Sequence, residues 1–329
     1  MMIREATEGD IPSMVALTKM SLGESLMPKS EGYWRWKHRD NPFGASLVML
    51  CWEDDTLVGL RAFMRWQWKV DGRLLDAVRP VDTATHPQYQ RRGIFSKLTR
   101  AALEQSQQLG YQFVYNTPNN NSKPGYLKMG WTEAGKLPID LYAVRPVSMA
   151  GHALRLRKAA PVTANDDSLT TYLEHPGLES LLKQQDRLHT AQIITAHTTR
   201  SLAWRYRDVP VARYFACGVG QGIVLDALVF YRIKPSKAGN EFRITDVFLS
   251  DRADRKQVRG VIAEKVAQHR ADYVTISGVH AQDMVRGLWA RRGMKIGPMV
   301  VVRELGDDRT APLRHFHAWA PSVGDLELF

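Results

Sequence analysis

Residues 81–95 read Val-Asp-Thr-Ala-Thr-His-Pro-Gln-Tyr-Gln-Arg-Arg-Gly-Ile-Phe. The apolar, β-branched run that leads into it starts at Leu74 and ends at Thr85, which predicts a strand. Apolar residues at helical spacing then begin at Ile94, and Gly110 is where that helix is expected to stop. The sequence therefore predicts a strand, a short turn and a helix.

The turn between this strand and this helix, Gln90-Arg91-Arg92-Gly93, has the chemistry of an anion site. Its glycine lets the backbone pass close to a phosphate, and its two arginines add positive charge. Successive backbone N–H groups and the positive end of the helix point at one place, which suits a diphosphate. A purely structural strand–helix turn can also be basic and contain glycine, so the turn alone leaves both interpretations open.

The spacing of this turn resembles the acyl-CoA-binding loop of the GCN5-related N-acetyltransferases (GNAT), Gln/Arg-x-x-Gly-x-Gly/Ala. Residues 90–95 match it except at the last position, where Phe95 replaces a small residue. This departure is expected to push the helix start away from the diphosphate and to weaken affinity.

A second motif of the same family follows about 30 residues later. It consists of an asparagine, a helix with a tyrosine, and a Lys-x-Gly-aromatic ending. The matching residues are Asn119, Tyr126, Lys128, Gly130 and Trp131. The two motifs cover residues 74–131, and the opening strand–helix pattern extends the resemblance over 1–145.

Composition excludes several other classes of protein. The chain has 329 residues, 44% apolar and 24% charged, as expected of a globular protein of about two domains. No apolar run reaches the roughly 20 residues that span a bilayer, and the first residues do not resemble a signal peptide. The net charge of +11 is spread along the chain, which favours a basic surface over a nucleic-acid interface. Cys51 and Cys217 fit no metal spacing and are expected to be reduced thiols, so a cytoplasmic location is predicted.

Two aromatic and basic segments suggest a faint internal repeat. Trp34-Arg35-Trp36-Lys37 has a counterpart in Trp204-Arg205-Tyr206-Arg207, and hairpins, a strand and a helix follow each. Trp34 and Trp36 either line a substrate pocket or pack a helix onto the sheet. In the second copy, Trp289 stands where the first has Tyr126, and the turn at 250–256 has two aspartates and no glycine.

The fold class predicted from these patterns is α+β, with tandem GNAT-like domains, each a mixed, mostly antiparallel sheet flanked by helices. We expect an acyl-CoA-binding domain at 1–145, a basic connection with helices at 146–200, and a degenerate second domain with a tail at 201–329. The tail from Phe316 onwards is expected to form a late strand.

The resemblance also implies roles for individual residues. Acetyl-CoA or another acyl-CoA is the implied co-substrate, and no metal is expected. The strand segment before the turn is expected to hold the pantetheine arm, and the turn the diphosphate. The implied cofactor-binding residues are Thr83, Ala84, Thr85, Gln90, Arg91, Arg92, Gly93, Ile94, Phe95, Ser96 and Asn119.

The catalytic groups implied by the resemblance are a general acid and a general base. Tyr126 can donate a proton to the leaving thiolate, or it packs on the sheet. Asp82 is the expected base, or it forms a structural hydrogen bond; Asp76, which alternation places on the same face, and His86 are alternatives. A base acting through water, or an amine that loses its proton before binding, also remains possible.

The function implied is transfer of an acyl group, chiefly acetyl, to a primary amine of a small molecule such as an amino sugar or an amino-acid-like acceptor. No nucleic acid and no membrane span are expected. The alternative is a non-catalytic protein that senses acyl-CoA and uses its second domain to bind a partner.

Overall fold

The computed structural model describes residues 1–24, 28–154, 168–278, 284–294, 297–306 and 312–326. Its strands are β1 Met2–Glu5, β2 Leu47–Glu53, β3 Thr56–Val70, β4 Arg73–Thr85, β5 Phe113–Asn116, β6 Thr132–Lys136, β7 Ile139–Ala143, β8 Ile194–Thr195, β9 Phe215–Gln221, β10 Val224–Ser236, β11 Gly239–Leu249, β12 Tyr273–Ser277, β13 Ala290–Met294 and β14 Met299–Glu304. Its helices are α1 Ile11–Leu22, α2 Glu31–His38, α3 Ile94–Gln108, α4 Lys123–Lys128, α5 Pro146–Ala153, α6 Ser168–Leu173, α7 Leu178–Leu188, α8 Thr199–Leu202, α9 Arg255–Gln268 and α10 Val323–Leu326.

The first sheet has the strand order β1-β2-β3-β4-β5-β14-β6, with β8 added beside the end of β3. Its centre is the long hairpin of β3 and β4, which turns at Asp71-Gly72, where both residues have positive φ, 49° and 73°. Positive φ at both central residues is required by the two-residue hairpin turn whose backbone twist matches that of the flanking strands. Strand β4 then pairs with β5 in parallel through Ala77 and Val78, and α3 makes the crossover between them.

The second sheet, β13-β7-β12-β11-β10-β9, repeats this plan. A hairpin leads to β11, α9 crosses over, and β12 pairs with β11 in parallel. Both hairpins also carry an unpaired residue at a register shift, Asp82 in β4 and Thr245 in β11. The predicted fold class, two mostly antiparallel sheets flanked by helices, is confirmed.

The two sheets exchange a strand. Strand β7, which follows β6 directly, leaves the first sheet and lies between β12 and β13 of the second. Strand β14, from late in the chain, lies between β5 and β6 of the first. The predicted domain boundaries at residues 145 and 200 therefore stay a prediction. Across them, the first half supplies β7 to the second sheet, and the second half supplies β14 to the first sheet.

Helices α1 and α2 cover one face of the first sheet, where Met14 and Trp34 pack against Leu60. Helix α3 covers the other face, where Leu98 packs against Val58. The largest core cluster joins both halves of the chain, since it contains residues of β3 and β10 and Trp319 from the tail. Among the described residues, no helix is long and apolar enough to cross a membrane.

Two further predictions concern the basic connection and the tail. The basic connection begins with a helix, Pro146–Ala153, and its residues 155–167 lie outside the described part. The predicted late strand in the tail is wrong, because the tail forms a 3-10 turn at Phe316–Ala318 and helix α10. Pro321 and a helix-capping Ser322–Asp325 pair favour that turn over an extended strand, and 327–329 lie outside the described residues.

Candidate active site

An open cavity of about 430 Å³ lies between the end of β4, the end of α1 and the start of α3. It brings together most of the residues predicted to hold the cofactor, with additions that the sequence did not indicate: Ser21, Leu22 and Tyr89. Its lining consists of Ser21, Leu22, Thr83, Thr85, Tyr89, Gln90, Arg91, Gly93, Ile94 and Phe95.

Four predicted cofactor residues are not part of this lining. Ala84 is buried in the cluster below α1, and the Arg92 guanidinium lies over the Tyr89 ring at 4.7 Å. Ser96 follows in the first turn of α3. Asn119 is exposed and its side chain accepts hydrogen bonds from the amides of Asn121 and Ser122, so it shapes the loop before α4. For every residue predicted to bind the cofactor, contact with the cofactor itself stays a prediction.

The backbone of the turn is shaped for an anion. Arg91 and Gly93 both have left-handed φ values, 63° and 75°, and α3 starts at Ile94 without a side-chain cap. The first amide N–H groups of a helix have no partner within the helix. Gly93, Ile94 and Phe95 at this helix start line the open cavity, and no side chain caps their amides. Consecutive amides in such a conformation form a concave site for phosphate oxygens.

Tyr126 lies behind this cavity, on α4, and is 3% exposed. Its phenol oxygen accepts a hydrogen bond of 2.5 Å from Arg61 Nη2. Arg61 lies on β3 directly opposite Thr83 of β4, and its Nη1 donates to Thr83 Oγ1. The sequence analysis missed Arg61, because a lone arginine in a strand pattern carries no motif; its only signal was a charge at a position that should be buried.

Phe95 is the departure from the family pattern, and its predicted effect on the distance to the diphosphate and on affinity stays a prediction. Helix α3 still begins at Ile94, and the Phe95 ring turns inward, edge to face with Tyr126 at 5.9 Å. The Arg61 guanidinium lies 5.0 Å from the centre of the same ring. The Phe95 ring therefore lies between the open cavity and the pair formed by Tyr126 and Arg61.

Asp82 lies at the bulge in β4 with a left-handed φ of 40°, which is a strained conformation for a non-glycine residue. Its Oδ2 is 2.6 Å from Lys37 Nζ and 2.9 Å from His38 Nε2, and both partners are buried. Burial raises the pKa of the Asp82 carboxyl, but the Lys37 charge and the His38 hydrogen bond outweigh it and hold that pKa well below its usual range. A carboxylate held in this way is a weak proton acceptor.

His38 is neutral in this arrangement. Burial lowers the pKa of its imidazole more than the hydrogen bond to Asp82 raises it. Since Asp82 is ionised, we assign the proton to His38 Nε2, which donates to the carboxylate, while Nδ1 accepts from Ser46 Oγ at 2.9 Å. Both ring nitrogens are thereby engaged.

The alternative bases lie elsewhere. Asp76 accepts a hydrogen bond from Gln67, its partner across the hairpin, on the face opposite Trp66 and Trp68. Asp82 contacts α2 on the other face, so the prediction that the two aspartates share a face is wrong. The reason is the bulge at Asp82, which adds one residue to β4 and so reverses the alternation of side chains beyond it. The ring nitrogen of His86 accepts from the Gln88 amide within its own turn.

Trp34 and Trp36, the predicted acceptor residues, are 5% and 4% exposed. Trp34 packs on the His38 ring at 4.0 Å and lines a small cavity beside Asp82. Trp36 stacks on Trp204 and forms part of the wall of an open cavity of about 570 Å³ between the two repeat segments. Their contact with an acceptor stays a prediction.

The tail, from the other half of the chain, contacts β4, which no motif indicated. Buried Arg79 of β4 donates to the backbone oxygens of Asp325, at 3.1 Å, and of Leu326. Arg205 Nε donates to the Gly324 oxygen at 3.1 Å. Two arginines, one from each half, thus fix the last described turn of the chain beside β4, where its pairing with β5 has ended.

In the second half, the described turn before α9 is not open to an anion in the way that the turn before α3 is. There Asp254 caps α9, and its carboxylate accepts a hydrogen bond from the Lys256 amide at 2.8 Å. The amide that would meet a phosphate is thus already occupied by an anionic group, and Asp251 adds a second negative charge at the same turn.

Comparison of the sequence with known protein families identifies the family of the first part of the chain. Residues 2–134 match the family described as acetyltransferase (GNAT) domain. The chain therefore contains a GNAT domain, and the resemblance inferred from the two motifs is confirmed. No curated protein sequence matches the chain.

Solved structures extend the likeness to both halves. A GCN5-related N-acetyltransferase from Anabaena variabilis ATCC 29413 covers 93% of this chain and 73% of its own, with a TM-score of 0.66 and 14% identity. A probable N-acyltransferase from Enterococcus faecalis V583 covers 92% and 72%, with a TM-score of 0.67 and 11% identity. N-myristoyltransferase from Saccharomyces cerevisiae, solved with bound myristoyl-CoA, covers 91% and 78%, with a TM-score of 0.56 and 9% identity. At these identities the likeness shows a shared fold.

Proposed function

We propose that this protein is an acyl-CoA-dependent N-acyltransferase that transfers an acyl group, chiefly acetyl, to a primary amine of a small molecule such as an amino sugar or an amino-acid-like acceptor. The observation that carries the proposal is the uncapped start of α3, which opens with Gly93 into the 430 Å³ cavity beside Thr83 and Thr85. A cytoplasmic location is part of the proposal, supported by Cys51, which is a buried thiol outside any disulfide.

In the proposed reaction, the amine nitrogen attacks the thioester carbon, a C–N bond forms and the C–S bond breaks. Tyr126 gives its proton to the leaving sulfur. Asp82 is the proposed base by position. Its lowered pKa also supports a second role, in which it holds Lys37 and His38 in place while the amine loses its proton to water.

Release of coenzyme A tests this proposal. Purified protein is mixed with acetyl-CoA or a longer acyl-CoA and a library of primary amines, and the free thiol is followed with time. We expect turnover with at least one amine class, and Tyr126→Phe is expected to lower kcat by about 100-fold with little change in cofactor affinity. Failure of every amine, with tight acyl-CoA binding, would contradict the enzyme proposal.

A specific observation supports the alternative, a protein that senses acyl-CoA. Tyr126 is shielded from the cavity by the Phe95 ring, and a binding protein needs no access to that phenol. Phe95→Ala separates the two functions. In an enzyme it changes turnover; in a sensor only the affinity for acyl-CoA changes.

A further inference from the structure

Arg61 is a buried positive charge, and no carboxylate of the described residues forms an ion pair with it. It is 1% exposed, and among the described residues its hydrogen bonds go to Thr83 Oγ1 and Tyr126 Oη alone. Its guanidinium carbon also lies near the centres of three aromatic rings, Phe63 at 5.4 Å, Phe95 at 5.0 Å and Tyr126 at 5.3 Å. Burying an ion without a counter-ion is costly, and aromatic faces offset only part of the cost.

The position of Arg61 links it to the cavity. Thr83 and Phe95 both line the cavity, and Arg61 contacts each of them from behind. The guanidinium donates to the Tyr126 oxygen, so the phenol hydrogen is free to point to another acceptor. One cation therefore holds both the hydroxyl of Thr83, which lines the cavity, and the phenol of Tyr126, which lies behind it.

We infer that Arg61 is a positioning residue that stabilises the negative charge formed at Tyr126 during acyl transfer; the inference rests on the proposed function. When the C–S bond breaks, the electron pair goes to sulfur, and the Tyr126 proton moves to that sulfur to give the thiol of coenzyme A. Tyr126 is left as a phenolate, which Arg61 neutralises through the existing hydrogen bond. Solvent then returns a proton to Tyr126, and the amine's surplus proton leaves to a base or to water.

A structural role for Arg61 predicts something different. Replacing a buried ion by an apolar side chain of similar volume is often neutral or stabilising, because the desolvation cost disappears. Arg61→Met should therefore fold with unchanged or higher stability in urea unfolding, while losing activity. If Arg61 only held β3 and β4 together, stability and activity would fall in parallel.

The experiment compares Arg61→Met, Arg61→Lys, Tyr126→Phe and the double variant Arg61→Met/Tyr126→Phe. Arg65→Met is the matched control, since Arg65 lies four residues further on the same strand and contacts the Tyr111 ring at 5.6 Å. For Arg61→Met we expect kcat to fall by about 100- to 1000-fold, the size seen when one preorganised donor is removed, with KM for acetyl-CoA nearly unchanged. Arg61→Lys should recover part of the loss, and Arg65→Met should be near wild type.

The double variant decides whether Arg61 acts through Tyr126. It should be no slower than Tyr126→Phe alone, because the phenolate no longer forms; losses that multiply would overturn the inference. A second readout needs no turnover. The alkaline phenolate absorbance of Tyr126, taken as the difference from Tyr126→Phe, should move to higher pH in Arg61→Met. If it stays in place, the inference is wrong even where no amine acceptor is found, whereas absent turnover with a shifted transition would fault only the proposed function.

Discussion

Trp36 and Trp204 each donate an indole N–H to the backbone oxygen of the other, at 2.8 and 2.7 Å, and their rings stack at 5.0 Å with an angle of 17°. The pair joins the two segments that the sequence identified as a repeat. Both residues are buried, so neither carbonyl has water as a substitute partner. The contact between the halves is thus symmetric at the level of single hydrogen bonds.

Changing Trp36 to Phe is expected to lower the free energy of unfolding by about 2–4 kcal/mol, because it leaves the Trp204 oxygen unpaired and opens a small cavity. Trp204→Phe should cost a similar amount, and the double variant less than the sum by about 1 kcal/mol or more. Urea unfolding measures all three. Trp52→Phe is the control, since Trp52 is half-buried and its buried indole N–H has no hydrogen-bond partner among the described residues. Strict additivity of the two changes would show that the contacts are independent.

Gly93→Val is expected to weaken acetyl-CoA binding by about 2 kcal/mol or more, measured by calorimetry. A Cβ atom at Gly93 would meet no atom of the described residues beyond its chain neighbours within 4 Å, so the loss arises from the φ of 75° and from blocked approach of the diphosphate. Gly222→Val is matched, with a φ of 61° and equally open space, but lies in the β9–β10 turn. Gly222→Val should lower the stability of the protein and leave its affinity for acetyl-CoA unchanged. Equal affinities in wild type and Gly93→Val would remove the turn from the binding site.

Asp82→Asn is expected to destabilise the protein by about 3–5 kcal/mol, because it leaves the buried Lys37 ammonium without its counter-ion. Adding Lys37→Met should restore most of this stability. Turnover of the stable double variant then isolates the chemical role of Asp82. Activity near wild type would show that Asp82 is not the base, whereas a loss of about 100-fold would support proton transfer to it.

Acid should destabilise the protein through His38. The pKa of buried His38 is lowered in the folded state, so the unfolded chain binds a proton below pH 6.5 that the folded chain rejects. This contribution is complete above about pH 6.5 and is lost as the pH falls, by at most about 1.4 kcal/mol per pH unit. Urea unfolding at pH 7.5 and pH 5 should show a smaller pH effect in His38→Asn than in wild type. Exposed His315, changed to Asn, is the control; the same slope in all three proteins would contradict the assignment.

Each chain is expected to bind one acyl-CoA. The carboxylate of Asp254 already occupies the start of α9, and it repels a diphosphate there. Calorimetric titration should saturate at one cofactor per chain, and Gly93→Val should weaken that single site. A second site that survives in Gly93→Val would overturn the prediction.

Much of the fold was predictable because local patterns and tertiary structure agree. The run ending at Thr85, the turn at Gly93 and the helix from Ile94 all follow strand, turn and helix rules, and the structure has them with nearly the same bounds. The hairpin turn at Asp71-Gly72 was predictable for the same reason. The class of the first domain followed from two spaced motifs.

The strand exchange was not predictable, because β7 and β14 have the same apolar pattern whichever sheet they join. The site was only partly predictable for a related reason. Residues that act through long-range contacts, such as Arg61 on Tyr126 or Arg79 on the tail, have no fixed spacing in sequence. The bulge at Asp82 also broke the alternation on which its predicted orientation relied.

The exchanged strands also bear on synthesis at the ribosome. Most multidomain chains fold each domain as it emerges, but here β5 and β6 have no neighbour between them until β14 has been made. At common translation speeds that delay lasts on the order of ten seconds, during which two strand edges lie open to other nascent chains. We expect fragments that end before Met299 to be held by chaperones or to aggregate. Neither half of the chain is therefore expected to fold when it is expressed without the other.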